Sequence, residues 1–396
     1  MTTCNIRGFL SASLVLLVAA CSAGSSTQPP TPANPGISAA RERTSDTQYL
    51  YVYDTGSPGL YSAEYVRYSL SKLQNLETTA ADGNASPQTF ASTGLPYFVD
   101  EVSHGSGFGV FSQPVKGGVV PAKQQFYGIP CVASALAIGP TGNFYVVQYC
   151  STNVLEYKPG VQNSKPKKPI ATYTGGNLGQ GGVTNPTYAV VDPSGNLYVG
   201  DNAAGVTYFP AGSTTGTVAF PTNNGGSVNQ MIVDSNGDVW SIHGPNATNV
   251  YFQDKTHCVL DPSGTVARNE VGERFHNGTL VQHLYTATTD NKLFSDNGVS
   301  IAVDATGRVY TGNQNSSVPG VLMDYDPGQS CPNTNLSFAV GNGANPQVAV
   351  DREGNYYVTN YTDNTISSYT GGSKTRTRKI TQATELVNIK SVAINP

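Results

Sequence analysis

The chain has few charges. Asp, Glu, Lys and Arg make up 12% of its 396 residues and leave a formal net charge of −4. A nucleic-acid surface needs a basic field, so that class of partner is excluded. After the N-terminal segment no apolar run is long enough to cross a bilayer as a helix. The sequence has no Gly-x-Ser-x-Gly elbow and no phosphate-cradling glycine loop. It also lacks the close Cys pairs and paired histidines of a zinc site. Nor does any stretch after residue 47 have the composition of a second linker. The about 350 residues that follow are long for a single core, which points to an architecture of repeats, each packed mainly on its neighbours.

What the chain does have is Gly (43) and Tyr (23), a composition for short strands and many turns. One unit recurs. Tyr188-Ala-Val-Val-Asp192-Pro-Ser-Gly195-Asn196-Leu-Tyr198-Val199 reads as strand, tight turn, strand. It returns as Met231-Ile-Val-Asp234-Ser-Asn-Gly237-Asp-Val-Trp240, as Ile301-Ala-Val-Asp304-Ala-Thr-Gly307-Arg-Val-Tyr310 and as Val348-Ala-Val-Asp351-Arg-Glu-Gly354-Asn-Tyr-Tyr357. Ala135 to Val146 keeps the turn but has Gly139 in place of the Asp, and a weaker copy surrounds Ser92. Lys390 to Pro396 is a first strand with nothing after it, and Tyr49 to Asp54 is a second strand with nothing before it. The two halves complete each other if the ends of the chain meet.

The expectation is an all-β propeller of four-stranded blades, seven in number, its ring closed by a blade built from both termini. Dropping the unit at Ser92 leaves a six-bladed ring as the alternative. The repeated Asp-x-x-Gly-Asn turn resembles that of NHL-type and related lipoprotein β-propellers, over Tyr49 to Pro396. One interval, between Ser241 and Thr311, is long, and the sequence places an insertion there at about 253–297, after Val250-Tyr251-Phe252.

The N-terminus reads separately. Arg7 precedes an apolar segment, Gly8 to Ala20, too short for a stable span. It ends in Val18-Ala19-Ala20-Cys21, which resembles the bacterial lipobox. That resemblance implies a signal peptide over 1–20, cleavage before Cys21 and a lipid carried on that cysteine; Ser22 after the cysteine favours the outer membrane. Residues 21–47, rich in Pro, Ser and Thr, read as an unstructured tether. The propeller is assigned to 48–396, outside the cytoplasm, with the membrane as one partner through the anchor and a protein or glycan as another.

Four cysteines remain for an oxidising compartment. The hairpin that turns at Gly139 to Asn143 sets Cys131 opposite Cys150, so a disulfide is expected there. Cys258 and Cys331 are each placed just beyond the third strand of adjacent blades, where a second bridge is expected.

Loops after each second strand gather near the axis of a propeller. They offer Asp54, Glu101, His104, Gln148, Asp201, Asn202, His243, Asn313, Gln314 and Asn360. Converging on a divalent cation, such groups could polarise a carbonyl, as in lyase-like and lactonase-like propellers. Asp and Asn after a strand also cap turns with their own side chains, and repetition alone multiplies them. The sequence therefore favours a non-catalytic binding scaffold with no cofactor, with the metal-assisted enzyme as the alternative. Two basic runs, Lys165 to Lys168 and Lys374 to Lys379, read as charge protecting outer strand edges or as a surface for an anionic glycan.

Overall fold

A computed structural model of the chain describes residues 48–54, 62–73, 75–82, 89–90, 96–101, 107–112, 124–127, 133–148, 152–158, 168–176, 178, 186–201, 205–220, 227–252, 266–287, 297–315, 318–341, 345–360, 362–380 and 389–394. Among them every regular element is a strand. Residues 42–396 form one unit, apart from residues 1–41. Cys21, Cys131, Cys150, Cys258, His104 and Asn202 all lie outside the described residues.

The strands group in fours, in chain order. β1 (Tyr49–Asp54), β2 (Ser62–Ser69) and β3 (Asn75–Asp82) share a sheet whose remaining strand comes from the other end of the chain. β4 (Thr89–Phe90), β5 (Pro96–Glu101), β6 (Gly107–Ser112) and β7 (Gln124–Tyr127) form the second, around the weak unit at Ser92. β8 (Ala133–Ile138), β9 (Phe144–Gln148), β10 (Val154–Tyr157) and β11 (Ala171–Gly175) form the third. β12 (Pro186–Val191), β13 (Leu197–Asp201), β14 (Gly205–Phe209) and β15 (Thr215–Phe220) form the fourth. The outer strands β11 and β15 pair in parallel at Thr174–Thr215 and Gly175–Gly216, so the third and fourth blades make one eight-stranded sheet. The fifth blade holds β16 (Val228–Val233), β17 (Val239–Phe252), β18 (Val266–His276) and β19 (Thr279–Ala287). β20 (Asn297–Val303), β21 (Val309–Asn315), β22 (Val318–Tyr325) and β23 (Phe338–Gly341) follow, then β24 (Val348–Val350), β25 (Tyr356–Asn360), β26 (Thr365–Tyr369) and β27 (Arg376–Ile380).

The last strand, β28 (Ile389–Ile394), returns to the first. It pairs antiparallel with β1, Leu50 opposite Ile394 and Val52 opposite Val392. The blade built from both termini is thus in place, and the chain is a β-propeller.

The recurring turn explains why each inner hairpin forms. Asp192 Oδ1 accepts the Ser194 and Asn196 amides at 2.9 Å each. Asp234, Asp304 and Asp351 hold their own turns in the same way. Gly195, Gly237, Gly307 and Gly354 take φ between 80° and 88°, where a side chain is strained. Between the hairpins the core is a set of seams. Leu50, Val52 and Val66 of the closing blade pack with Tyr357 and Ile366 of the neighbouring one. Trp240 and Ile242 pack with Ile301 and Val321 across the next-but-one seam back, between β17 and the β20–β22 blade.

The insertion expected at about 253–297 is corrected. Val250-Tyr251-Phe252 does not start a third strand; it continues the second, and Val266–Ala287 supplies the third and fourth. The β17–β18 pairing runs on to Phe252 opposite Val266, with register shifts between Ile242 and Asn246 and between Asn246 and Val250. Pro245 falls in the first of these irregular stretches, where a strand tolerates a missing donor. β17 and β18 are thus long paired strands of the blade itself, and residues 253–265 and 288–296 lie outside the described residues. Cys258 accordingly follows a second strand, not a third, whereas Cys331 lies between β22 and β23 as expected. Cys331 is buried and disulfide-bonded.

Candidate functional site

The first strands of six blades, β8, β12, β16, β20, β24 and β28, line a central channel with a volume of about 630 Å³. One residue from each second strand sits at the same level above it. The register sets Asp54 opposite Ile389, Gln148 opposite Ala133, Asp201 opposite Pro186, His243 opposite Val228 and Asn313 opposite Gly298. Each of these pairs follows a bulge, with Lys390, Ser134, Thr187, Asn229 and Val299 as the extra residues. Asn360 ends β25 in the equivalent place. These six residues thus occupy equivalent places in six blades.

It was wrong about their surroundings. Asp54, Gln148, Asp201, His243, Asn313 and Asn360 lie within strands, and none is more than 3% exposed. Their hydrogen bonds tie up the fold. Thr311 Oγ1 donates to Asn313 Oδ1 at 2.6 Å. Asn360 accepts the Thr362 and Asp363 amides through its side-chain oxygen, as a turn cap does, and donates to the Val340 carbonyl of the preceding blade. Gln148 Nε2 has no hydrogen-bond partner among the described residues. Gln314 is half-buried, and Glu101 ends β5.

His243 departs furthest from the turn-capping role. It lies inside β17, fully buried, and its Nε2 meets Glu273 of β18. Ser241 donates to the other oxygen of Glu273, and His243 Nδ1 contacts the Gly244 carbonyl. Phe220 of the fourth blade stacks over the imidazole at 6.1 Å. Burial alone lowers the His243 pKa, but the charge and hydrogen bond of Glu273 outweigh it, and the net shift is upward. A second pair, His283 with Glu270, lies beside the first and is partly open to solvent. Its hydrogen bond to Glu270 raises the His283 pKa against a smaller opposing effect of burial. Ser, His and Glu here have the side chains of a nucleophile site. Their geometry is not one, because Ser241, His243 and Glu273 are each 0% exposed and no substrate can reach them. Neither Glu270 nor Glu273 was singled out for this role from the sequence; both lie where the insertion had been placed.

The bulges build a feature that the sequence did not disclose. Ser134 donates to the Pro186 carbonyl at 2.6 Å, Thr187 to the Val228 carbonyl at 2.7 Å, and Asn229 to the Gly298 carbonyl. These three bulge side chains thereby latch their inner strands to the next one around the ring. The only trace in the sequence is a Ser, Thr or Asn just before the aliphatic run.

No group of three His, Cys, Asp or Glu side chains among the described residues is arranged to hold a metal ion. The basic residues Lys374, Arg376, Arg378 and Lys379 are exposed on and beside β27, an outermost strand.

The class of protein is therefore a β-propeller, and comparison of the fold agrees. The chain superposes on a putative 6-phosphogluconolactonase from Bacteroides fragilis with a TM-score of 0.60 at 12% identity, covering 89% of this chain and 99% of that one. A periplasmic gluconolactonase from Pseudomonas aeruginosa gives 0.59 at 14% identity, over 88% and 99% of the two chains. A putative 6-phosphogluconolactonase from Bacteroides uniformis gives 0.59 at 11%. No family model and no curated protein matches the chain. At such identities the likeness is one of fold.

Proposed function

We propose that this chain is a lipid-anchored protein of the bacterial cell envelope whose seven-bladed, NHL-type propeller binds a ligand or protein without turning it over. The observation that carries the reading is the burial of the axial polar set. Asp54, Gln148, Asp201, His243, Asn313 and Asn360 are the residues that a funnel enzyme would present to its substrate, and they are enclosed instead. In this reading Cys21 carries the lipid, favouring the outer membrane, residues 22–47 hold the propeller off the surface, and disulfides link Cys131 with Cys150 and Cys258 with Cys331. No cofactor is required.

The fold shared with gluconolactonases supports the second reading, a lactonase or lyase working in the funnel with a divalent cation. A shared fold hosts many chemistries and by itself brings no site. One set of measurements separates the two. The purified protein is assayed on D-glucono-δ-lactone and 6-phosphogluconolactone with and without EDTA, and Ca²⁺, Mg²⁺, Mn²⁺ and Zn²⁺ are screened for a thermal shift. The scaffold reading expects neither turnover nor a saturable shift; a metal-dependent turnover lost on Glu101→Gln would replace it with the enzyme. For the anchor, Cys21→Ser should leave the membrane fraction or accumulate as precursor, and unchanged processing would refute lipidation.

A further inference from the structure

The central channel has two chemically different ends. At the downstream end of the inner strands stand Ile138, Val191, Val233, Val303, Val350 and Ile394. Each is the last residue of its strand to pair, opposite Phe144, Leu197, Val239, Val309, Tyr356 and Leu50 respectively. They are structural equivalents and form a ring. All six are half-buried: Val191, Val233, Val303, Val350 and Ile394 pack in part against the seams, and each keeps some surface open. The Asp residues that follow four of them turn inward onto their own loops, which keeps charge out of the ring.

Three residues upstream, about 10 Å away along a strand, the wall changes. Gln230, Gln347 and Ser391 line the channel there, with Asn345 close by. Gln230 Oε1 accepts the Ile301 amide at 2.6 Å, and Gln347 Nε2 donates to Asn345 Oδ1 at 3.1 Å. Ser391 Oγ is buried and has no hydrogen-bond partner among the described residues. A buried hydroxyl without a partner costs free energy unless something supplies one. No charged side chain is among the described residues that line the channel.

We propose that this channel binds an uncharged, single-chain amphiphile, with its aliphatic part inside the Ile/Val ring and a hydroxyl or amide head at Ser391, Gln347 and Asn345. The proposal rests on the reading of the propeller as a ligand-binding protein and names the class of ligand. A cavity of this volume, lined mostly by aliphatic residues but with polar and apolar atoms both open to it, has room for a small molecule that offers both kinds of surface. Charge complementarity selects a neutral occupant, since a carboxylate or ammonium group in this wall would lose water and gain no partner. A free sugar fits poorly, because its hydroxyls would face six aliphatic side chains.

The test uses the full chain in phosphatidylcholine nanodiscs and a diazirine-bearing monodecanoylglycerol as probe. Saturable labelling is expected on the peptides that hold Val233, Val303 and Val350. Unlabelled monodecanoylglycerol should compete at least about tenfold better than decanoate, the loss expected when a charge finds no countercharge among the described residues of the wall. Ser391→Ala removes a hydroxyl that bonds none of the described residues, so melting should stay at the parental value while competition by monodecanoylglycerol weakens several-fold. Val233→Asn with Val303→Asn should abolish labelling of the ring. Labelling confined to outer strands, equal competition by decanoate, or labelling unmoved by both variants would overturn the proposal. Lactone hydrolysis is measured on the same preparation. Turnover with ring labelling intact removes only the non-catalytic reading, whereas neither turnover nor labelling removes only the amphiphile.

Discussion

The buried His243–Glu273 pair makes a sharp prediction. Both side chains are 0% exposed, and Ser241 adds a hydrogen bond to the same carboxylate. Replacing one partner leaves the other charge without compensation, which typically costs about 3–5 kcal/mol. His243→Gln and Glu273→Gln should therefore each destabilise the propeller by roughly that amount. The double variant His243→Gln/Glu273→Gln removes both charges and keeps amides that can bond each other and Ser241. It should cost less than the sum of the singles by well over 1 kcal/mol, the signature of direct coupling. The pH dependence has a definite sign. The His243 pKa is raised in the folded state, so its contribution is fully present below the unfolded value of about 6.5 and is lost as pH rises through the folded value. His283 acts in the same direction through Glu270. Urea unfolding midpoints between pH 5 and 9 should fall on the alkaline side in the parent and fall less in the double variant. Additive single variants, or a parent and double variant with parallel pH profiles, would show that the pair does not carry the stability assigned to it.

Other perturbations test the ring itself. A Cβ at Gly312 would overlap the Pro346 carbonyl oxygen of the next blade and crowd Ser300 Oγ; Gly312→Ala should cost about 1–3 kcal/mol or more by overpacking, read as a lower denaturation midpoint. Val392→Ala removes two methyl groups at the closing strand and should cost about 2–3 kcal/mol once the cavity is included, against no measurable loss for the exposed Arg376→Ala in the same thermal assay. Asp304 Oδ1 accepts from the Thr306 amide, the Thr306 hydroxyl and the Arg308 amide. Asp304→Ala should therefore lower stability by about 1–3 kcal/mol, while Asp304→Asn, which keeps an acceptor, loses less.

The propeller was legible because its evidence is local. An Asp, a Gly three residues later and apolar runs on either side specify a turn whose geometry admits little else, and the unit repeats. Even the closing blade could be read, since Val52 and Val392 stand at equivalent points of the pattern and face each other in the structure. What escaped depends on pairing between segments. The sequence around Pro245 breaks the alternation, so the long second strand looked like a strand followed by an insertion. Glu273 became a partner of His243 only when β18 was placed beside β17. The axial polar residues were located correctly along the chain, yet their burial depends on how adjacent blades close over them, as Phe220 does over His243. Nothing in a strand's own residues states that.

The pairing of β1 with β28 also sets an order of events. A chain made or exported from its N-terminus has β1 available before any other strand of the ring, whereas its inner partner, β28, is the last of the ring's described strands to emerge. Until then Leu50 and Val52, both 0% exposed in the finished ring, have no cover on that side. Every earlier intermediate is an open arc with an adhesive edge at each end, a state prone to pair with a neighbour's edge. Maturation of this protein is thus a race between self-closure and association, and it is decided by the arrival of β28.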